Sequence, residues 1–431
     1  MKIVLIGAGS GSFGRGQIAD ILQAEDFRGR NVMLTLVDTD PAVLDRMTRL
    51  AQCIKSHTGS DVTIESAADR RQALPGADFV LLAISVRRYE LWEQDYRVPM
   101  SYGFQHVLGE CGGPGAMFHA LRSFELVIPV CRDIQRLCPQ AMLLNFTNPE
   151  ARVLHAMTHL TSVRAVGLCH GVFSAIDMLS QLLNRPADEL DIVSAGMNHF
   201  YCILKCADRA TGQDLLPRAI ELAAAQTDNP RLQLFQRFAR IFDVFIFPSD
   251  DHIGEYLSFG SEFHGKRWPY GLESRKIPRV DAPPQDYIDE YLAGDRPADD
   301  PAVLAPSGES AVPVICDIAL GRRRVHPAVN VLNSDGYIAN LPRDAVVEVP
   351  GRVDGDGLRP LHIGEVPETI AAYMRPQFTI HSLLTEAYRT GSRKLLLQAL
   401  LLDPVVDSIT RAEKMLDHML SLQSDYLPTF A

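Results

Sequence analysis

Lys2–Ile6 is an unbroken apolar run, and glycines follow it at once in Gly7-Ala-Gly9-Ser-Gly11-Ser-Phe-Gly14. A run without polar alternation is the pattern of a strand buried on both faces. Glycine after such a strand lets the backbone turn tightly and bring its N–H groups up to a pyrophosphate at a helix N-terminus. The frame that starts directly after the strand has Gly7 and Gly9 but Ser12 in third place, and the complete frame from Gly9 starts two residues late. A plain tight turn has the same composition, so the context matters. A helical stretch runs to about Leu22, and a second strand, Val32–Val37, ends in Asp38. A carboxylate there accepts hydrogen bonds from a ribose 2′-hydroxyl and repels a 2′-phosphate. No arginine adjoins Asp38 in sequence, which favours NAD over NADP, with Gly7, Gly9, Ser10, Phe13 and Asp38 as contacts; the alternative is a solvated turn aspartate before Pro41.

The alternation continues. Pro41–His57 has helical periodicity, Asp78–Ile84 is a buried strand, and the glycine-rich loop Gly109–Gly115 precedes a long helix, Ala116–Leu137. That loop is either a backbone cradle for dinucleotide or substrate, or a helix-entry turn. Strands follow at Met142–Leu144, Ala165–Leu168 and Ile192–Ala195. Beyond about Leu204 helical periodicity takes over, at Pro217–Ala225 and Pro230–Phe242; Arg279–Pro306 reads as exposed loops. Strands return after Val325, and the tail is helical at Gln377–Arg389, Leu395–Leu402 and Ile409–Leu420. The expected architecture is α/β: a Rossmann-like doubly wound N-terminal domain, residues 1–200, and a mixed α+β domain, residues 201–431, for substrate binding and oligomerisation.

A formal charge of −11 lacks the basic face that nucleic-acid binding needs. The eight cysteines show no clustered spacing, so no disulfide framework is expected; Cys131, Cys138, Cys202 and Cys206 read as core packing. The start, MKIVLIGAG, is too short and glycine-rich for a signal peptide, and no run is long enough for a membrane helix, so a cytoplasmic location is expected.

Chemistry-bearing residues gather where the strands end. Asn145-Phe-Thr-Asn148-Pro149 closes one strand, Cys169-His170-Gly171 another, and Asn198-His199 follows a third. Open α/β sheets keep ligands at such ends. Asn148 can cap a helix or hold a sugar hydroxyl, and Asn145 can hold a nicotinamide ribose. A thiolate and an imidazole suit a divalent transition metal and leave coordination positions for substrate and water. Pro248–Tyr256 groups Asp250, Asp251, His252, Glu255 and Tyr256, a set that serves acid–base chemistry or a solvated turn equally well.

From Gly7 to about Pro404 these motifs resemble glycoside hydrolase family 4, the NAD- and divalent-metal-dependent glycosidases. The likeness rests on Gly112–Gly115 with Ala120-Leu-Arg122, on the Asn145, Cys169, His199 and Pro248 motifs, and on the block Asn333–Pro350. It implies oxidation at sugar C3 by NAD⁺, loss of the C2 proton, elimination of the aglycone, water addition and return of the hydride. It further implies Cys169 and His199 as ligands of Mn²⁺ or another divalent ion. His170 falls where some members keep the acid, Asp251 is the candidate base, and Tyr256 is the second choice. Asn148 is expected at the substrate and Asn145 at the cofactor. Cys-His-Gly is similar to the branch acting on unphosphorylated α-glycosides of the glucoside or galactoside type. Arg87 and Arg88 replace small residues, so Arg88 either meets a hexuronide carboxylate or lines a surface. A plain NAD-dependent sugar or hydroxy-acid dehydrogenase and a nucleotide-sensing protein are the competing readings. Length and likeness suggest a homodimer or homotetramer.

Overall fold

A computed structural model describes residues 1–226, 229, 231–264 and 286–431. The parallel core begins with β1 (Lys2–Ile6), β2 (Met33–Val37), β3 (Thr63–Ala67), β4 (Phe79–Leu82), β5 (Met142–Asn145) and β6 (Arg164–Gly167). They lie in the order β3-β2-β1-β4-β5-β6, the doubly wound arrangement. Helices α1 (Phe13–Gln23), α2 (Pro41–Thr58), α3 (Arg70–Ala73), α4 (Arg88–Ser101), α5 (Gly113–Leu137), α6 (Glu150–Leu160) and α7 (Gly171–Leu183) connect them. Local chemistry sets their ends. The Asp40 carboxylate caps α2 at the N–H groups of Ala42 and Val43, Pro41 opens it, and Gly59 in the left-handed region closes it. β3 has no signature in the sequence because it is a polar edge strand, Thr-Ile-Glu-Ser-Ala, with little to bury.

The sheet does not stop at β6. β7 (Leu190–Met197), β8 (Phe200–Asp208), β9 (Phe245–Ile246), β10 (Arg324–Leu332), β11 (Val346–Asp354) and β12 (Gly357–Pro360) extend it, so the described residues form one twelve-stranded sheet. The continuation runs β6-β10-β11-β7-β8-β9, with β12 on β11, and all of these pairings are antiparallel. The Val-rich strands of the C-terminal half are thus wedged between two strands of the N-terminal half. β8 precedes the helical stretch expected beyond Leu204, which forms at Leu216–Ala225 and Gln233–Phe242. Residues of β8 are buried on both faces at all but Leu204 and Lys205, so it shows no strand alternation.

Part of the stretch read as loops at 279–306 is helical, at Asp286–Ala293 and Pro301–Leu304, because Ile288, Tyr291 and Val303 have a core to enter. Residues 279–285 and Pro230 lie outside the described residues; the helix expected from Pro230 runs Gln233–Phe242. The tail helices are Glu368–Thr390, which packs on α6 and α5, Arg393–Leu402, and Ile409–Leu422, which packs on α4. Cys131, Cys138, Cys202 and Cys206 are buried free thiols. Among the described residues no helix is long and apolar enough to cross a membrane.

Candidate active site

The loop after β1 and the loop after β4 meet where the strand order reverses. Gly7 sits at φ +88°, and a Cβ there would come within 2.0 Å of the Ala83 carbonyl oxygen. Only glycine permits both the turn and the approach. The Gly9 N–H donates to Asp38 Oδ2 at 2.8 Å, so the carboxylate ending β2 pins the loop. Its other oxygen accepts the Asp40 N–H at 3.1 Å. Gly7, Ser10 and Asp38 border a 610 Å³ cavity over the ends of β1, β2 and β4, a volume in the usual range of ligand pockets. Arg70 and Arg71 border it too, although sequence proximity to Asp38 does not reveal them. Arg70 is bonded to Asp133 at 2.8 Å and Arg71 forks onto Asp69.

Ser10 also borders a second cavity of 420 Å³, which adjoins a third of 360 Å³. These two share Phe13, Arg88, Glu110, Phe146, Asn148, His170 and Glu309. The rings of Phe13 and Phe146, with centroids 4.8 Å apart, make an apolar wall between the dinucleotide loop and the β5 end. Cys169 and His199 line the third cavity. Asn198 and His199 form the whole two-residue turn between β7 and β8, and His199 adopts φ +63°, an unusual conformation for a residue with a Cβ. The turn brings His199 Nε2 to 3.5 Å from Cys169 Sγ. Two donors about 2.3 and 2.1 Å from one tetrahedral ion stand roughly 3.6 Å apart, so the spacing fits a shared metal. Burial, then neighbouring His252, holds His199 well below the ordinary histidine pKa, which keeps it neutral and able to ligate. Burial, helped by Glu348, pushes the Cys169 thiol up to about 12. Among the described residues no third His, Cys, Asp or Glu completes a ligand cluster, so such an ion would keep open positions.

His170 Nδ1 meets Glu309 Oε1 at 2.8 Å, and this hydrogen bond raises the His170 pKa. Asn148 faces both smaller cavities, its amide nitrogen 3.5 Å from Glu110 Oε1. Arg88 lies at 3.1 Å from the same oxygen. Arg87, by contrast, turns outward to Tyr426 and Glu90.

Three residues expected at the site stand back from these cavities. Asn145 is fully buried, exchanging hydrogen bonds with the Thr147 backbone at 3.1 and 3.2 Å, and so shapes the loop from within. The Asp251 carboxylate accepts from Ser249 Oγ at 2.5 Å and from the His252 N–H and ring at 2.9 and 2.8 Å. Tyr256 is buried, its hydroxyl 3.4 Å from the Asn198 carbonyl. His252 is the titratable residue of that motif that lines the cavity, beside Pro248 and Ser249, its ring edge-on to His199 at 4.4 Å. Burial alone would lower its pKa, but Asp251 outweighs this and lifts it to about 9. Glu255 instead accepts the N–H groups of Glu110 and Cys111, fixing the glycine-rich loop from below.

Glu110, Glu309 and His252 are the site residues that the motifs leave unassigned. Glu309 comes from a segment after Pro301–Leu304 that folds back onto α1, where the Ser307 N–H donates to Asp20 at 2.9 Å. Only the glycines around Glu110 hint at its position.

Residues 2–185 match the Family 4 glycosyl hydrolase model, and residues 194–406 match the Family 4 glycosyl hydrolase C-terminal domain. An alpha-glucosidase of Erwinia rhapontici is 29% identical over 99% of this chain and 98% of its own. An alpha-galactosidase of Bacillus subtilis is 29% identical over 100% and 99%. A 6-phospho-beta-glucosidase of Thermotoga maritima, solved with manganese, NAD⁺ and glucose-6-phosphate, shares the fold at a TM-score of 0.84 and 21% identity, with both chains covered in full. With both of its segments matched in order along one sheet, the chain belongs to the family 4 glycosyl hydrolases.

Proposed function

We propose that the chain is an NAD- and divalent-metal-dependent α-glycosidase acting on unphosphorylated hexosides. The observation that carries this reading is the Cys169–His199 pair, 3.5 Å apart, in a cavity that adjoins the one bordered by the dinucleotide loop. Gly7, Gly9, Ser10, Phe13 and Asp38 would hold NAD. Arg70 and Arg71 are each paired with a carboxylate, which offsets part of their attraction for a 2′-phosphate. Cys169 and His199 would hold Mn²⁺ or a related ion. When bound, NAD supplies a hydride acceptor and donor, and the metal supplies Lewis acidity to vicinal sugar hydroxyls.

The chain's own residues do the rest. Asn148 and Glu110 offer an amide and a carboxylate to orient sugar hydroxyls. Glu309 fixes the His170 ring through Nδ1, leaving its other nitrogen to protonate the departing glycosidic oxygen. Asp251, in the Ser249–Asp251–His252 cluster, remains the candidate for taking the C2 proton, with His252 beside it at the cavity and cationic at neutral pH; Tyr256 is the second choice. Phe13 and Phe146 keep bulk water from the reacting carbons.

Charge in the cavity supports a neutral sugar. Glu110, Glu150 and Glu309 line it, while Arg88 is paired with Glu110 and Arg15 donates to the carbonyls of Val303 and Ala305. The Arg88 charge is thus offset by Glu110, and the three carboxylates would repel a 6-phosphate or uronate. An α-hexuronide is the second reading, and Arg88 is the side chain that favours it; an alpha-galacturonidase of Lachnoclostridium phytofermentans is 26% identical over 99% of this chain and 97% of its own. A homodimer or homotetramer is part of the proposal, and light scattering on the purified chain decides it.

The test is a panel of p-nitrophenyl α-glucoside, α-galactoside and α-hexuronides with NAD⁺, reductant and Mn²⁺, run in D₂O. Release of a neutral sugar carrying deuterium at C2, without net NADH, is expected. Release that needs neither NAD⁺ nor metal and leaves C2 unexchanged defeats the reading. Accumulating NADH would make the chain a dehydrogenase.

A further inference from the structure

Gly167 on β6, Asn330 on β10, Glu348 on β11 and Gly196 on β7 are successive register partners, and Asn145 on β5 precedes them. Partners directly opposite on neighbouring strands share a face, so this is one row crossing the line where the two halves of the sheet meet. It is polar and closed to solvent: Asn145 and Asn330 are 0% exposed and Glu348 is 2% exposed. Glu150, the first residue of α6 and also 2% exposed, lies over the gap that Gly167 leaves. A Cβ on Gly167 would stand 1.5 Å from Glu150 Oε1 and 3.0 Å from Asn330 Cβ.

The unmet atoms here are all acceptors. Oε1 of Glu348 and Oδ1 of Asn330 are buried without a hydrogen-bond partner among the described residues, and the buried Glu150 carboxylate has the neutral Asn145 amide beside it but no hydrogen bond of ordinary geometry. Glu348 Oε2 accepts only from amides, Asn198 Nδ2 at 2.9 Å and Asn330 Nδ2 at 3.2 Å. No described lysine, arginine or histidine forms an ion pair with either carboxylate. Buried carboxylates left without a counter-charge are strongly unfavourable. The row has a direct line to the paired thiol and imidazole. Asn198 precedes His199 in the β7–β8 turn, and its side chain contacts both Glu348 and the Cys169 thiol. Glu150 lines the same cavity as Cys169 and His199.

We propose that Glu348 and Glu150 are the counter-charge of the cation held by Cys169 and His199, positioning residues that set its affinity from behind without ligating it. Glu348 acts through Asn198, which orients the thiol, and Glu150 adds negative potential at the cavity floor. Such outer carboxylates commonly tune a metal site as strongly as a weak ligand does. The C-terminal half would thereby take part in metal binding although both ligands belong to the N-terminal half. This inference rests on the reading of Cys169 and His199 as metal ligands.

The test is Mn²⁺ titration of the full chain by calorimetry, for wild type, C169S, E348Q and E150Q, with NAD affinity as the fold control. E348Q is expected to weaken Mn²⁺ binding by about 10–100-fold, and E150Q to weaken it in the same direction, with NAD affinity within about twofold of wild type. Wild-type Mn²⁺ affinity in both variants overturns the proposal, since glutamine keeps the shape and removes only the charge. If E348Q fails to fold, E150Q decides alone by the same criterion. Wild type binding no Mn²⁺, or C169S binding it equally well, would sink the metal reading itself; wild type binding, C169S not binding and both glutamine variants behaving as wild type would sink only this inference.

Discussion

Cys169 and Asp38 line different cavities, so each should fail in its own way. Cys169→Ser replaces a soft ligand by a hydroxyl that does not ionise, and its side chain does not border the 610 Å³ cavity. Mn²⁺-dependent turnover should fall by at least about 100-fold while NAD affinity stays nearly intact, as cofactor fluorescence titration would report. Unchanged turnover would remove Cys169 from the site. Asp38→Ala strips a charge from the cavity and leaves the Gly9 N–H without its 2.8 Å acceptor. NAD affinity should drop about tenfold, and the preference over NADP should narrow. A variant that kept the full NAD preference would show that Asp38 serves only the loop. These residues are legible in the sequence because each sits where a strand ends, and strand ends are set by local pattern. Glu110 and Glu309 are not legible in that way. They reach the cavity through contacts between distant segments, such as the hydrogen bond that His170 Nδ1 donates to Glu309, and no spacing rule encodes those. Asp251 illustrates the converse: its motif is visible, but its hydrogen bonds to Ser249 and His252 turn it away from the cavity.

Among elements, α4, α5 and the end of the helix Ile409–Leu422 are joined by one buried knot. Arg122 forks onto Asp95 at 2.9 and 2.5 Å, donates to Gln423 Oε1 at 2.6 Å, and Gln423 returns a bond to Asp95 at 3.0 Å. All three side chains are at most 4% exposed. Arg122→Met leaves Asp95 charged and dry, so it should cost about 3–5 kcal/mol in urea unfolding. Adding Asp95→Asn should then cost far less than the two single changes together, because the stranded charge is gone. Full additivity in that cycle would mean that the pair is not coupled. The Ala120-Leu-Arg122 motif is readable as a pattern, yet its role as a clamp is not, since its partners lie far along the chain. The same limit explains the missed strands. β3 is too polar to stand out, and β8 buries residues on both faces, so neither shows strand alternation.

At the scale of the molecule, composition and periodicity divide the chain near residue 200, and the family segments divide it between 185 and 194. With β7 in the first half, the sheet crosses the division near residue 200 three times. β10 is joined to β6 by the single register pair Asn330–Gly167, β11 to β7 by Glu348–Gly196, and β8 to β7 along the whole hairpin. Backbone pairing at the first two seams is thin, and their hydrogen bonds alone would let those strands part. Side chains argue otherwise: one apolar cluster holds Ile3, Leu144, Val166, Val329, Val347, Phe378 and Met419 together, and the helix Glu368–Thr390 packs on α6. Cooperativity follows the shared core because removing either half exposes the apolar face of the other. Urea unfolding should then give one transition, coincident by far-UV circular dichroism and tryptophan fluorescence, with the NAD-binding signal lost at the same midpoint. Two resolved transitions would make the halves separate folding units. A chain ending at residue 189, which loses β10 and the packing of Glu368–Thr390 on α6, should for the same reason fail to yield a folded NAD-binding protein, and stoichiometric NAD binding by that fragment would count equally against a shared core.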